Sequence, residues 1–160
     1  MSKTFKYAFV KTIPVMLGYL FLGLAFGLLL QEAGYSFWWA LLISTVVYAG
    51  SIQFVLVSFL TAGTSLPVVA VMTLLINSRH AFYGLTFIEK FKAMKSRPYM
   101  IFSLTDETYS LLCSLKVPEE IDEKKVMFLI SLLDQIYWIV GSVAGAALGP
   151  VLPCDMTGLD

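Results

Sequence analysis

The sequence predicts an all-α integral membrane protein, a single membrane domain over residues 1–160 with about five hydrophobic segments, some broken or re-entrant near mid-membrane. Three observations lead there. Hydrophobic residues make up 58% of the chain and charged residues 14%, against about 45–50% and 25% in soluble domains. Several apolar runs approach or exceed the roughly 20 helical residues that span a bilayer core. Three of these runs carry polar islands at their centres, where a charged side chain costs about 2.5–3.5 kcal/mol on insertion scales and ordinarily faces a partner or a wet cavity.

Composition also removes alternatives. Net charge is +0, so no basic footprint for nucleic acid exists. The first apolar run is too long and too poor in small-residue cleavage sites for a secretory signal peptide. Cys113 and Cys154 lack CxxC or histidine spacing, which suggests neither a zinc site nor a disulfide framework and makes both small apolar fillers. Nothing in the pattern calls for a metal or cofactor.

The N-terminus carries Lys3, Lys6 and Lys11 without an acid, which places it in the cytoplasm by the positive-inside rule. The first segment is expected over 13–31, with Gly23 and Gly27 spaced for close helix packing. The second, over 37–60, begins with Trp38 and Trp39 as interfacial anchors. Its centre holds Gly50 and Ser51, which can loosen the backbone, and Gln53, a two-sided hydrogen-bonding group.

The third segment, over 66–88, starts with Pro67 in its first turn and carries Asn77-Ser78-Arg79-His80 near its middle. The following loop holds Lys90, Lys92, Lys95 and Arg97 and should be cytoplasmic. Three full crossings from a cytoplasmic start would put it outside, so either one of segments two and three is a re-entrant pair of half-helices or the charge rule fails locally. At least one of the segments holding Gly50, Asn77 or Asp106 is expected to be broken or re-entrant. The fourth segment, over 98–117, is interrupted by Thr105-Asp106-Glu107-Thr108. Adjacent helical residues point about 100° apart, so Asp106 and Glu107 address different neighbours. A mixed-charge loop then leads to the fifth segment, over 126–148. Asp134 and Gln135 lie near its first third, and Gly141, Gly145 and Gly149 form a ladder expected to dock onto further segments or a partner. Beyond Pro150 and Pro153 the chain reads as if another segment were about to begin.

These polar groups suggest a transport site. Arg79, Asn77, Gln53 and Ser51 are candidates for binding a zwitterionic solute, Arg79 taking its carboxylate through a fork of donors. Asp106, Glu107, His80 and Asp134 are candidates for proton coupling or charge pairing. Arg79 could instead merely lock two helices by pairing with Asp106 or Glu107. A non-transporting scaffold or accessory subunit therefore stays open, while an intramembrane hydrolase is disfavoured because neither G-x-S-x-G nor H-E-x-x-H occurs.

Gly50-Ser51-Ile52-Gln53-Phe54, Asn77-Ser78-Arg79-His80-Ala81-Phe82-Tyr83-Gly84, Thr105-Asp106-Glu107-Thr108-Tyr109 and Leu152-Pro153 through Gly158-Leu159-Asp160 together resemble the AzlC family of branched-chain amino-acid exporters. Each motif is short, but their order and spacing are specific. The resemblance implies export of valine, leucine, isoleucine or analogues across the bacterial cytoplasmic membrane, alongside a small AzlD-type membrane partner. It also implies that the chain matches the first two thirds of the family and that further transmembrane segments follow the position of Asp160. Whether the assembly is an oligomer stays open.

Overall fold

A computed structural model describes residues 2–150; Cys154 and the motif from Leu152 through Asp160 lie outside the described residues. Among the described residues there are seven helices: α1 Lys3–Glu32, α2 Phe37–Val46, α3 Gly50–Ala62, α4 Leu66–Lys92, α5 Arg97–Phe102, α6 Asp106–Cys113 and α7 Glu123–Leu148. Three are long and apolar enough to cross a membrane, α1, α4 and α7. The second expected segment is split into α2 and α3, and the fourth into α5 and α6. The third runs unbroken through Asn77 and His80, so its polar island sits on a continuous helix.

Local chemistry explains the boundaries. The Ser2 side chain accepts from the Phe5 amide at 3.2 Å and caps α1, adding turns before the first apolar residue that hydropathy alone would count. Gly34 and Gly63 take positive φ of 88° and 59° in the turns after α1 and α3, a conformation glycine adopts without steric cost. Asp122 caps α7 by accepting from the Lys124 and Lys125 amides.

The core is the α1–α7 pair, and glycine makes it. A Cβ on Gly23 would stand 3.0 Å from the Ser142 amide, and one on Gly141 would stand 2.8 Å from the Leu20 carbonyl. Gly27 and Gly145 face the Ser142 and Leu24 carbonyls still more closely. Gly149 meets the Gln31 side chain. Between helices in lipid no hydrophobic force acts, so backbone-to-backbone van der Waals contact carries association. The ladder expected to dock onto another segment or partner is thus occupied by the chain's own first helix. Cys113 is exposed rather than a packed filler.

Contacts at the helix ends fix the direction of each element. Lys90 pairs with Glu123 at 2.8 Å, and Lys124 Nζ donates to the Ala93 carbonyl at 3.2 Å. Ser2, Thr4, Ala93, Lys95 and Lys125 share one cleft, and Lys3, Lys6, Lys11 and Ile121 share another. Tyr7 donates to the Lys116 carbonyl. The N-terminus, the loop after α4, the loop after α6 and the start of α7 therefore lie at one end of the molecule. Every Lys and Arg except Arg79 sits there. At the opposite end Gln31, Ser36 and Phe37 meet Ala146 and Pro150, and the exposed Trp38 and Trp39 are placed beside them.

Because Arg79 is the central residue of α4, Leu66 stands about 20 Å beyond it at 1.5 Å per residue, on the far side from Lys92. Residues 37–62 thus enter and leave from that far end, whereas residues 97–116 enter and leave from the basic end. Both are re-entrant pairs of half-helices. A break or re-entry was expected in at least one of the segments holding Gly50, Asn77 or Asp106; it occurs in the first and last of these, and this collects Lys116, Lys124 and Lys125 together with Lys3, Lys6 and Lys11. The charge conflict disappears because two hairpins, not one, fail to cross.

Two tests follow. Gly145→Ala should destabilise the protein in detergent by about 1–3 kcal/mol or more, the cost of overpacking against a backbone that cannot give way. Gly18→Ala, with nothing within 4 Å, should be neutral or stabilise by up to about 1 kcal/mol through helix propensity. Equal melting temperatures for the two variants would remove the glycine contact as the main support. In a background with Cys113 and Cys154 replaced by Ser, single cysteines at Lys3, Lys92 and Lys116 should be labelled from one face of the membrane and one at Thr64 from the other. Labelling of Lys3 and Lys92 from opposite faces would refute the double re-entrant topology.

Candidate functional site

The two hairpins meet where their backbones are interrupted. In the first, Ala49 is extended (φ −142°, ψ 92°) and Tyr48 takes φ 39°, an unfavourable angle for a residue with a Cβ. Gln53 holds this break: its Oε1 accepts from the Ala49 amide at 3.2 Å and from Trp138 Nε1 at 2.9 Å, while its Nε2 donates to Ser44 Oγ at 3.3 Å. In the second hairpin, Thr105 caps α6, its side chain accepting from the Thr108 amide at 3.4 Å. Tyr48 and Phe102, from the two breaks, stand 6.2 Å apart between ring centroids.

Between the breaks lies a cavity of about 150 Å³, smaller than the roughly 300–1,000 Å³ of drug-sized ligand sites and scaled to a small solute. Ser51, Arg79, His80, Asp106 and Glu107 line it, with Leu22, Phe54 and Trp138 as apolar walls. Arg79 Nη1 pairs with Asp106 Oδ2 at 2.8 Å, and Nη2 donates to Ser51 Oγ at 2.7 Å. One guanidinium thereby joins α4 to the starts of both α3 and α6. The two side chains are 40% and 35% exposed; in water such a pair would contribute about 0–1 kcal/mol. At mid-membrane the comparison differs, because the alternative is an unpaired charge in hydrocarbon.

Arg79 Nε and Asp106 Oδ1 are nevertheless buried and without partners. Asp106 and Glu107 occupy the first turn of α6, where the amide ends favour negative charge. They diverge as adjacent helical residues must: Asp106 turns to α4, while Glu107 Oε2 accepts from Tyr19 Oη of α1 at 2.7 Å. The His80 ring packs edge-on against Tyr83, centroids 5.7 Å apart.

The other expected site residues lie elsewhere. Gln53 is fully buried and spends its amide on the break, so its geometry is that of a brace and not of a solute ligand. Asn77 is one α-helical turn from the cavity wall, and its Oδ1 is buried without a partner. Asp134 is fully buried and accepts from Thr108 Oγ1 at 2.8 Å, beneath the cavity rather than in it. Tyr19, Tyr48, Thr105 and Trp138 line the cavity without having been singled out. Thr105 lay within a quoted motif, but Tyr19 sits in an otherwise apolar run and gives no local signal.

The profile of the family described as AzlC protein matches residues 14–152. A relative described as an uncharacterized membrane protein of Helicobacter pylori is 43% identical over 159 residues, 99% of this chain and 70% of that protein. The Bacillus subtilis protein described as "Branched-chain amino acid transport protein AzlC" is 34% identical over 157 residues, 98% of this chain and 62% of its own. The Escherichia coli "Inner membrane protein YgaZ" is 29% identical over 152 residues, 92% of this chain and 62% of its own. No solved structure matches the chain.

If Gln53 is a brace, Gln53→Leu should leave the Trp138 Nε1–H and the Ala49 amide without partners and cost about 1–3 kcal/mol for each buried group so stranded. Ser51→Ala, which removes one contact of Arg79, should cost less. Thermal unfolding in detergent reads the difference, and a Gln53→Leu protein as stable as the wild type would show that the break is held by something else.

Proposed function

The chain belongs to the AzlC family, and from that premise we propose that it forms the solute-binding part of a secondary transporter for branched-chain amino acids. In this reading the direction is export across the bacterial cytoplasmic membrane, the driving ion is the proton, and a small AzlD-type protein is the partner. The observation that carries it is the cavity's paired orphans: an unpartnered guanidinium donor, Arg79 Nε, and an unpartnered carboxylate acceptor, Asp106 Oδ1, within one ion pair.

A zwitterion supplies what each lacks. Its carboxylate takes the Arg79 fork together with the amide end of α3, which starts at Gly50 beside the cavity. Its ammonium takes Asp106 or Glu107. A branched aliphatic side chain is matched by Leu22, Phe54 and Trp138. Because Arg79 also bonds Ser51 on one hairpin and Asp106 on the other, a bound carboxylate competes with contacts to both. That competition would let each hairpin loosen toward its own side of the membrane, the requirement of alternating access.

A second reading, helix locking in an accessory subunit, is favoured by the same Arg79–Asp106 pair. Equilibrium binding of valine and of valinamide, which lacks the carboxylate, separates the two. The wild type should prefer valine by about tenfold to a hundredfold, the equivalent of ~1.5–3 kcal/mol for a hydrogen bond to a charged group. Arg79→Lys keeps the charge but loses the planar fork and should lose most of that preference. Equal affinity for the two ligands in the wild type would leave the locking role in possession.

A further inference from the structure

From Glu107 in the cavity wall, side-chain oxygens continue in a line that leads away from the cavity to α7. Glu107 Oε2 is 2.7 Å from Tyr19 Oη, which is 2.6 Å from Thr105 Oγ1. Thr105 Oγ1 is 3.1 Å from Thr108 Oγ1, and Thr108 Oγ1 is 2.8 Å from Asp134 Oδ2. The line starts at an exposed carboxylate and ends at one that is fully buried. It crosses from α6 to α1, returns to the cap and first turn of α6, and finishes on α7, about 17 Å along that helix from Glu123.

Proton counting gives the line its meaning. Four oxygen–oxygen contacts are served by three hydroxyl protons. With both carboxylates ionised, one contact must bring two lone pairs together at hydrogen-bond distance. One added proton fills every contact, and it can sit at either end. On Asp134, the donations run Asp134 to Thr108, Thr108 to Thr105, Thr105 to Tyr19 and Tyr19 to Glu107. On Glu107, all four run the other way.

We propose that Glu107 and Asp134 share a single proton through Tyr19, Thr105 and Thr108, and that this chain is the path by which the transporter stores and returns its coupling proton; this rests on reading the cavity as a transport site. In transfer, Glu107 gives its proton to Tyr19, Tyr19 gives its own to Thr105, Thr105 to Thr108, and Thr108 to Asp134 Oδ2. Each hydroxyl loses one O–H bond and gains one, and one positive charge moves from the cavity to the buried carboxylate. Arg79, His80 and Asp106 line the cavity at the Glu107 end, with Tyr83 and Tyr109 behind them. The Tyr48 hydroxyl lies beside Tyr19, Thr108 and Asp134, and the Tyr99 and Tyr137 hydroxyls face the Asp134 end. Asp134 makes no ion pair among the described residues, and both its Oδ1 and the Tyr48 hydroxyl are buried without partners. A substrate ammonium arriving beside Glu107 would favour its ionised form and send the proton inward, which links solute occupancy to proton position.

Infrared spectroscopy of the full chain in lipid, with substrate absent, tests the path. Over a pH series Asp134→Asn should remove one carboxylic-acid carbonyl band. Transfer to D2O should shift that band more slowly in Thr108→Val by at least about tenfold, a barrier increase of ~1.4 kcal/mol, and Thr108→Ser should restore the rate. Tyr19→Phe breaks the line at another link and serves if Thr108→Val does not fold. Exchange at the wild-type rate in a folded Thr108→Val or Tyr19→Phe protein would overturn the proposal. So would the absence of any Asp134 band at every pH where the protein is folded. Neither failure touches the comparison of valine with valinamide, and failure of that comparison leaves the exchange experiment standing.

Discussion

In hydrocarbon an interrupted helix exposes amides and carbonyls that no water can satisfy, so irregular backbone survives there only when buried in protein or lining a wet cavity. The breaks at 47–49 and 103–105 are possible because α1 and α7 form a wall for them to rest on. Trp138 of α7 touches the first break through Gln53 and stands 3.4 Å from where a Gly50 side chain would begin. Tyr19 of α1 reaches the second through Thr105 at 2.6 Å. Without the glycine contact that brings the α1 and α7 backbones together, Tyr19 and Trp138, whose rings meet edge-to-face at 5.3 Å, would not share one surface. The polar site depends on small residues that carry no chemistry.

The same wall sorts charge by depth. Lys and Arg gather at one end, and the exception, Arg79, sits at the centre of a continuous helix with a carboxylate 2.8 Å away. An arginine there without Asp106 would be left with the insertion cost of about 2.5–3.5 kcal/mol, more than a single hydroxyl such as Ser51 returns. Asp134 follows another rule. It lies at similar depth with hydroxyls around it and no cation, which suits a group that exchanges a proton better than one that holds a partner.

Much of this was legible in the sequence, for identifiable reasons. Arg79, Asp106 and Glu107 stand out because charge in a long apolar run is costly, and Gly50 because a glycine beside a serine weakens a helix. The lysine-rich loop at 89–97 pointed to re-entry, against a local failure of the charge rule, before any geometry was known. What stayed hidden depends on pairing between distant elements. The Gly141, Gly145 and Gly149 ladder announces a close neighbour but does not say which, and Gly23 and Gly27 answer it from more than a hundred residues away. Gln53 looked like a ligand because an amide in an apolar helix has the same composition whether it holds a solute or a broken backbone. Tyr19 was invisible because a tyrosine in lipid-facing sequence is ordinary until its hydroxyl finds Glu107. The chain ends of the helices were missed where caps such as Ser2 and Asp122 extend them past the apolar run.

The two hairpins enter from opposite faces and meet at one guanidinium, and this constrains any mechanism built on them. Arg79 belongs to neither hairpin; it stands on α4, which crosses completely and whose ends are fixed by the Lys90–Glu123 pair and by the turn at Gly63. A solute carboxylate that draws on Arg79 weakens its hold on Ser51 and Asp106, yet Asp106 keeps its place at the amide end of α6 whether or not Arg79 stays. Ser51 would lose its bond to Arg79, while Gln53 still ties the start of α3 to Trp138 of α7 and to the Ala49 amide. On the transport reading, carboxylate binding therefore releases each hairpin's side chain from Arg79 while Gln53 and the first turn of α6 keep the two breaks in place.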